Sequence, residues 1–172
     1  MEFTERLRRI RLFLLDVDGV LTDGQVIMGG PRETKAFHIR DGLGLRLLQG
    51  EGIRVGWVSA RPSDATRLRA EDLKTDFLHQ STRPKVEAIE EILERASLTW
   101  EQTLFMGDDL VDLGALRRAG AAAVPADAIA EAKSVAHYVC RLGGGRGAVR
   151  EVVDLVLKAQ GRWDSVVSRF EA

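Results

Sequence analysis

The chain has 172 residues, 45% of them hydrophobic and 30% charged, a balance that suits one globular domain with its own core and excludes a disordered chain. A formal net charge of −1 gives no ground for nucleic acid or an anionic membrane surface as partner. No apolar run approaches a membrane span, no secretion-signal h-region is evident, and the single cysteine, Cys140, excludes an intramolecular disulfide, so a cytoplasmic protein is expected.

The Arg-rich opening from Arg6 to Arg11 reads as a solvated lead-in to the first strand. That strand, predicted over 10–15, is apolar without alternation, as in a parallel strand buried on both faces. It runs into Asp16-Val17-Asp18-Gly19-Val20-Leu21-Thr22-Asp23, two carboxylates one residue apart followed by turn residues. Residues 24–37 hold two short strand-like arms around Gly29-Gly30-Pro31 and predict a hairpin over those carboxylates. A helix is predicted over 43–50 behind Asp41 as its cap, then a strand over 53–59 ending in Ser59-Ala60-Arg61, a helix over 63–73 and a strand over 77–80. In the next helix, 85–96, Val86, Ile89, Ile92 and Leu93 recur at three- and four-residue steps and mark one buried stripe. Strands follow over 103–107, 121–124 and 137–140, with helices over 110–119 and 128–134 between them, and Cys140 reads as a small core residue. A glycine cluster, Gly143-Gly144-Gly145-Arg146-Gly147, precedes an amphipathic helix over 148–158. The tail, residues 161–172, carries Trp163, Val166, Val167 and Phe170 with no evident core of its own. This alternation predicts an α/β fold, a doubly wound parallel sheet with a hairpin inserted after the first strand.

In such a sheet the carboxyl ends of neighbouring strands face one crevice. The first strand brings Asp16 and Asp18 there, and two like charges so close ionise together only if a cation shares them, unless one keeps a proton. The second brings the hydroxyl of Ser59 and free backbone N–H groups, an anion site. Lys85 stands in the first turn of a helix, where the dipole opposes a cation and calls for a compensating anion. The fourth strand ends in Gly107-Asp108-Asp109, with Asp112 about one helical turn on. Carboxylates without a histidine or cysteine cluster select Mg²⁺, which meets phosphate oxygens. One carboxylate can carry a phosphoryl group as an aspartyl-phosphate while its neighbour moves the protons. About forty residues separate Asp16 from Ser59, spent on one hairpin and one helix, which leaves no room for a cap domain.

Taken together, Asp16-x-Asp18, Ser59, Lys85 and Gly107-Asp108-Asp109-x-x-Asp112 resemble the four motifs of the haloacid dehalogenase superfamily. The resemblance implies a Rossmann-like fold with Asp16 as nucleophile and Asp18 as general acid/base. It implies that Ser59, Ala60, Arg61 and Lys85 bind the phosphorylated substrate. Mg²⁺ is implied on Asp16, Asp108 and the backbone carbonyl of Asp18, with Asp109 and Asp112 supporting that shell. A narrower resemblance covers nearly the whole chain. Asp16 to Gly24, Lys35-Ala36-Phe37, Arg40-Asp41-Gly42-Leu43-Gly44 and Gly143-Gly144 with Gly147-Ala148-Val149-Arg150-Glu151 are similar to the 3-deoxy-D-manno-octulosonate 8-phosphate phosphatases.

That group implies a Mg²⁺-dependent, capless homotetramer hydrolysing a sugar-acid phosphate, with hairpin and tail at subunit interfaces and the tail reaching a neighbouring active site. Two departures from its pattern stand out: Ser59-Ala60-Arg61 in place of Thr-Gly-Arg, and Pro84 in place of the aspartate before the motif lysine. A phosphatase for a nine-carbon sugar acid 9-phosphate shares nearly all these motifs. A non-catalytic phosphosugar-binding member, and a partner protein whose hairpin and tail serve assembly alone, are the readings from other classes.

Overall fold

The apolar run near the N-terminus becomes β1 (Leu12–Leu15), with every residue buried. In this computed structural model, which describes residues 2–171, β1 stands at the centre of a parallel sheet. Met1 and Ala172, the end residues of the predicted domain and tail, lie outside the described residues. On one side of β1 lie β2 (Arg54–Ser59) and β3 (Phe77–Gln80). On the other lie β4 (Thr103–Met106), β5 (Ala121–Val124) and β6 (Tyr138–Val139). Among the described residues the order is thus β3-β2-β1-β4-β5-β6, the expected doubly wound α/β sheet. Its winding reverses between β1 and β4, where such sheets open a crevice at their carboxyl ends. Register decides what meets there: Leu15 lies opposite both Trp57 and Met106, so the residues following β1, β2 and β4 emerge side by side.

Period-two alternation divides the core into two layers. Phe13, Leu15, Val55, Trp57, Leu104 and Met106 share one with residues of α1 (Phe3–Leu7), α2 (Ile39–Gly50), α3 (Asp64–Asp72), α7 (Ala148–Ala159) and α8 (Trp163–Ser168). Leu12, Leu14, Phe105, Ala122 and Val124 face the other, with α4 (Lys85–Ala96), α5 (Leu113–Arg118) and α6 (Ala130–Val135). The predicted stripe of α4 is part of it, with Ile89, Ile92 and Leu93 buried. Each fully buried side chain of this size contributes about 1.5–3 kcal/mol.

Five expectations need correction. The Arg-rich opening is more than a lead-in: it contains α1, whose Leu7 is buried while Arg6 donates to the Gly120 carbonyl at 2.7 Å. Asp41 is not a cap of its own helix, since α2 begins at Ile39 behind His38. Its buried carboxylate instead accepts the backbone N–H of Arg150 at 2.8 Å, satisfying a free donor in the first turn of α7. The hairpin exists only in outline, for Ile27 and Thr34 exchange two 3.1 Å backbone bonds across one antiparallel bridge, and the glycines and Pro31 between them supply no ladder. The helix predicted over 110–119 is split into a 3₁₀ turn, Leu110–Asp112, and α5.

The tail, finally, has a core. Val166 of α8 is buried, Trp163 packs against the same layer, and Lys158 lies 4.9 Å over the Trp163 ring. Arg162 and Arg169 both reach Glu51, which precedes the start of β2. This places α8 at the amino end of the strands, opposite the carboxylates of its own chain. No helix among the described residues is long and apolar enough to cross a membrane.

Candidate active site

Asp16 is delivered by β1 and fixed by its backbone N–H, which donates to the Met106 carbonyl at 2.9 Å. Its carboxylate is nearly buried, and Lys85 lies 2.7 Å from its Oδ1. Lys85 is the first residue of α4 and is itself buried, so the helix dipole and desolvation both oppose its charge. The compensating anions are Asp16 and Asp112, whose Oδ1 accepts from Nζ at 2.6 Å. Burial lowers the Lys85 pKa, but those two carboxylates outweigh it and hold the ammonium above its ordinary value.

Asp112 is completely buried and uses both oxygens. Oδ1 takes Lys85, while Oδ2 takes the backbone N–H groups of Asp108 at 2.9 Å and Asp109 at 3.2 Å. It therefore shapes the turn after β4 and aims the lysine at once. Gly107 makes this possible, because a Cβ there would meet the Asp112 side chain at 2.5 Å. Asp109 caps the 3₁₀ turn, its exposed carboxylate accepting the Leu110 N–H at 2.7 Å.

Three carboxylates gather here: Asp16, Asp108 and Asp112 each offer an oxygen within 4.8 Å of the others. Burial, then the charges of Asp16 and Asp112, push Asp108 up to about 8. Burial, opposed by Lys85 and reinforced by Asp112, pushes Asp16 up to about 6. Asp108 Oδ1 is buried and has no hydrogen-bond partner among the described residues. An all-oxygen donor set, excess negative charge and an orphaned buried oxygen all fit a hard divalent cation such as Mg²⁺. Gly19, at φ +90°, leaves the space for Asp108, since a Cβ there would stand 2.0 Å from Asp108 Oδ2. Gly144 in turn packs so closely on the Gly19 carbonyl that a Cβ would come within 1.8 Å. The glycine cluster thus braces the loop that carries Asp18.

Asp18 stands apart from the three. Its Oδ1 is 2.7 Å from Nζ of Lys35, an ion pair rather than an aligned hydrogen bond. Ser59, buried at the end of β2, donates its hydroxyl to the Arg61 carbonyl at 3.0 Å and accepts the Arg61 N–H at 3.2 Å. The exposed Arg61 guanidinium pairs with Glu33 of the inserted segment, which holds the Glu33 carboxyl below its usual range. Ala60 lies between them, partly buried. The structure therefore gathers Asp16, Lys85, Asp108 and Asp112 tightly, with Asp18 and residues 59–61 around them. Sequence reasoning missed Lys35 and Glu33 as site residues; the signal was charged side chains in an insertion that directly follows the carboxylate pair.

The sequence profile of haloacid dehalogenase-like hydrolases matches residues 74–143. The 3-deoxy-D-manno-octulosonate 8-phosphate phosphatase KdsC of Escherichia coli (strain K12) is 40% identical over 160 residues, 92% of this chain and 85% of that protein. The crystal structure of such a phosphatase from Yersinia pestis is similar with a TM-score of 0.92 and 40% identity, covering 94% of this chain and 88% of that one. That from Moraxella catarrhalis, in complex with magnesium ion, phosphate ion and KDO molecule, gives a TM-score of 0.95 at 36% identity, over 98% of this chain and 97% of that one. With such identity across nearly its whole length, on the same capless fold, the chain belongs to the 3-deoxy-D-manno-octulosonate 8-phosphate phosphatase family of haloacid dehalogenase-like hydrolases.

Proposed function

We propose that residues 1–172 form one catalytic domain, a Mg²⁺-dependent phosphomonoester hydrolase that converts 3-deoxy-D-manno-octulosonate 8-phosphate to the free sugar acid and inorganic phosphate. The observation that carries this is the buried Asp16–Lys85–Asp112 chain beside the unpartnered oxygen of Asp108, at the point where the sheet reverses its winding. Asp16, Asp108 and the backbone carbonyl of Asp18 would hold Mg²⁺, with Asp112 orienting them and Asp109 contributing through its backbone N–H. When bound, the cation neutralises charge on the phosphoryl oxygens and lets Asp16 and Asp108 ionise together.

Asp16 attacks phosphorus, and the bond from phosphorus to the sugar oxygen breaks as Asp18 gives that oxygen a proton. Asp18 then takes a proton from water as its oxygen attacks the aspartyl-phosphate, which releases phosphate and restores Asp16. Lys85 stabilises the transferring charge at a site already depleted of water, and Ser59, Ala60 and Arg61 bind the substrate's anionic groups. Arg61 is exposed and paired with Glu33, so a sugar carboxylate would replace Glu33 on the guanidinium. Such a substrate carries two anionic groups and does not cross a bilayer unaided, so a cytoplasmic location belongs to the same proposal.

Self-association, as a homotetramer, is proposed through the inserted segment. Ile27 and Met28 on it are 62% and 74% exposed, and Ile39 and Leu43 at the start of α2 are exposed as well. Phosphate release from a panel of sugar phosphates tests the activity: preference for the eight-carbon acid phosphate with Mg²⁺, abolished by EDTA and restored by Mg²⁺, is expected. Preference for a nine-carbon acid 9-phosphate would overturn the substrate, and binding without release would overturn the catalytic reading.

A further inference from the structure

We infer that Lys35 is a positioning residue for Asp18, holding the proton-transferring carboxyl in the orientation the sugar leaving group requires; this rests on the phosphatase reading above. The Lys35 side chain is fully buried, although it comes from the irregular inserted segment. Its Nζ lies 2.7 Å from Asp18 Oδ1 and 3.7 Å from Glu33 Oε1, and it donates to Thr66 Oγ1 at 3.2 Å. Thr66 is itself fixed: it is buried in the first turn of α3, and its N–H donates to the capping Ser63 hydroxyl at 3.3 Å. One hydrogen bond and two carboxylates at ion-pair distance thus surround the ammonium, and a buried cation is tolerable when it is paired in this way.

Such a cluster is weak evidence for stability, because an apolar side chain of similar volume often serves as well or better. Its placement points to orientation instead. Asp18 Oδ1 is buried, while a quarter of the Asp18 side chain stays accessible. Lys35 therefore occupies the oxygen that faces inward and leaves the rest of the carboxyl at the mouth of the site. A misplacement of about 1 Å in a reacting group can cost on the order of 10²-fold in rate. With its side chain fully buried behind that carboxyl, Lys35 acts through Asp18.

A leaving-group comparison isolates that role. Sugar alkoxide must be protonated as it departs, whereas p-nitrophenolate leaves without a proton; kcat/KM reports the steps up to that departure, so in kcat/KM only the former depends on a well-placed Asp18, while the later attack of water is common to both esters. We expect Lys35→Met to lower kcat/KM for 3-deoxy-D-manno-octulosonate 8-phosphate on the order of 10²-fold, and for p-nitrophenyl phosphate by less than about tenfold. In an Asp18→Asn background the same substitution should cost nothing further on either ester. Thr66→Val, which keeps the shape and removes the anchoring oxygen, should show the same substrate-selective loss in milder form and decides the matter if Lys35→Met does not fold. Equal loss on both esters, an undiminished extra loss in the Asp18→Asn background, or full activity would overturn the assignment. A wild type that hydrolyses neither ester would overturn the phosphatase reading instead.

Discussion

Replacing Asp112 by asparagine keeps the shape of a fully buried side chain and changes only what it offers to Lys85. One amide oxygen can still accept the N–H groups of Asp108 and Asp109, at 2.9 and 3.2 Å in the native turn. The amide nitrogen is then left against the Lys85 ammonium, where the native carboxylate accepts at 2.6 Å. A buried charge-assisted hydrogen bond of this kind contributes about 1.5–3 kcal/mol. Loss of the Asp112 charge also relieves its repulsion of Asp16 and Asp108 and removes its attraction to Lys85, opposing effects of similar size that offset only part of this. The net cost is about 1–2 kcal/mol, which for a chain of this size lowers Tm by roughly 2–8 °C. Thermal melts in EDTA remove any contribution from a bound cation. Steady-state kinetics with Mg²⁺ should show kcat reduced on the order of 10²-fold, because Lys85 keeps one anchor, Asp16, and loses its aim. An unchanged Tm together with unchanged kcat would show that Asp16 alone holds Lys85 and would refute the coupling.

Asp16→Asn should abolish phosphate release while leaving the melt within about 2 °C of wild type or above it, since one of three crowded carboxylates becomes neutral; near-normal turnover would remove the aspartyl-phosphate. Asp16 and Asp108 both have folded-state pKa values raised above the ordinary carboxylate range, so their stabilising effect is complete near pH 4 and is lost as pH rises through about 6 and then about 8. Metal-free protein should accordingly lose Tm between about pH 5 and about pH 9, and Mg²⁺ should restore most at the alkaline end, a trend that differential scanning calorimetry would read directly. Met28→Glu should dissociate the assembly by light scattering without lowering the monomer's helix content, and a wild type that is monomeric would dispose of the interface. Truncation after Gly161 should lower Tm, because it uncovers the layer on which Val166 and Trp163 pack; an unchanged Tm would show that α8 adds nothing to the fold.

What could be read from the chain alone was whatever local order carries. The unbroken apolar run before Asp16 announced a strand buried on both faces, and the three- and four-residue spacing of α4 announced its inward face. Placement of Asp16, Ser59, Lys85 and Asp108 at successive strand ends followed from the alternation of elements. These features depend on neighbours a few residues apart, where side-chain period and backbone conformation are directly coupled.

The tertiary structure decided everything that hangs on partners far along the chain. Asp41 looked like a cap for its own helix, yet its hydrogen bond goes to Arg150, 109 residues away. Lys35 lay in a segment whose pattern suggested a hairpin over the carboxylates, and only the packing of that segment against α3 buries the ammonium between Asp18 and Thr66. The break at Asp112 arises because its carboxylate answers Lys85, 27 residues earlier, as well as its own turn. Charged groups are chosen by what surrounds them once water is excluded, and sequence spacing holds no record of that enclosure.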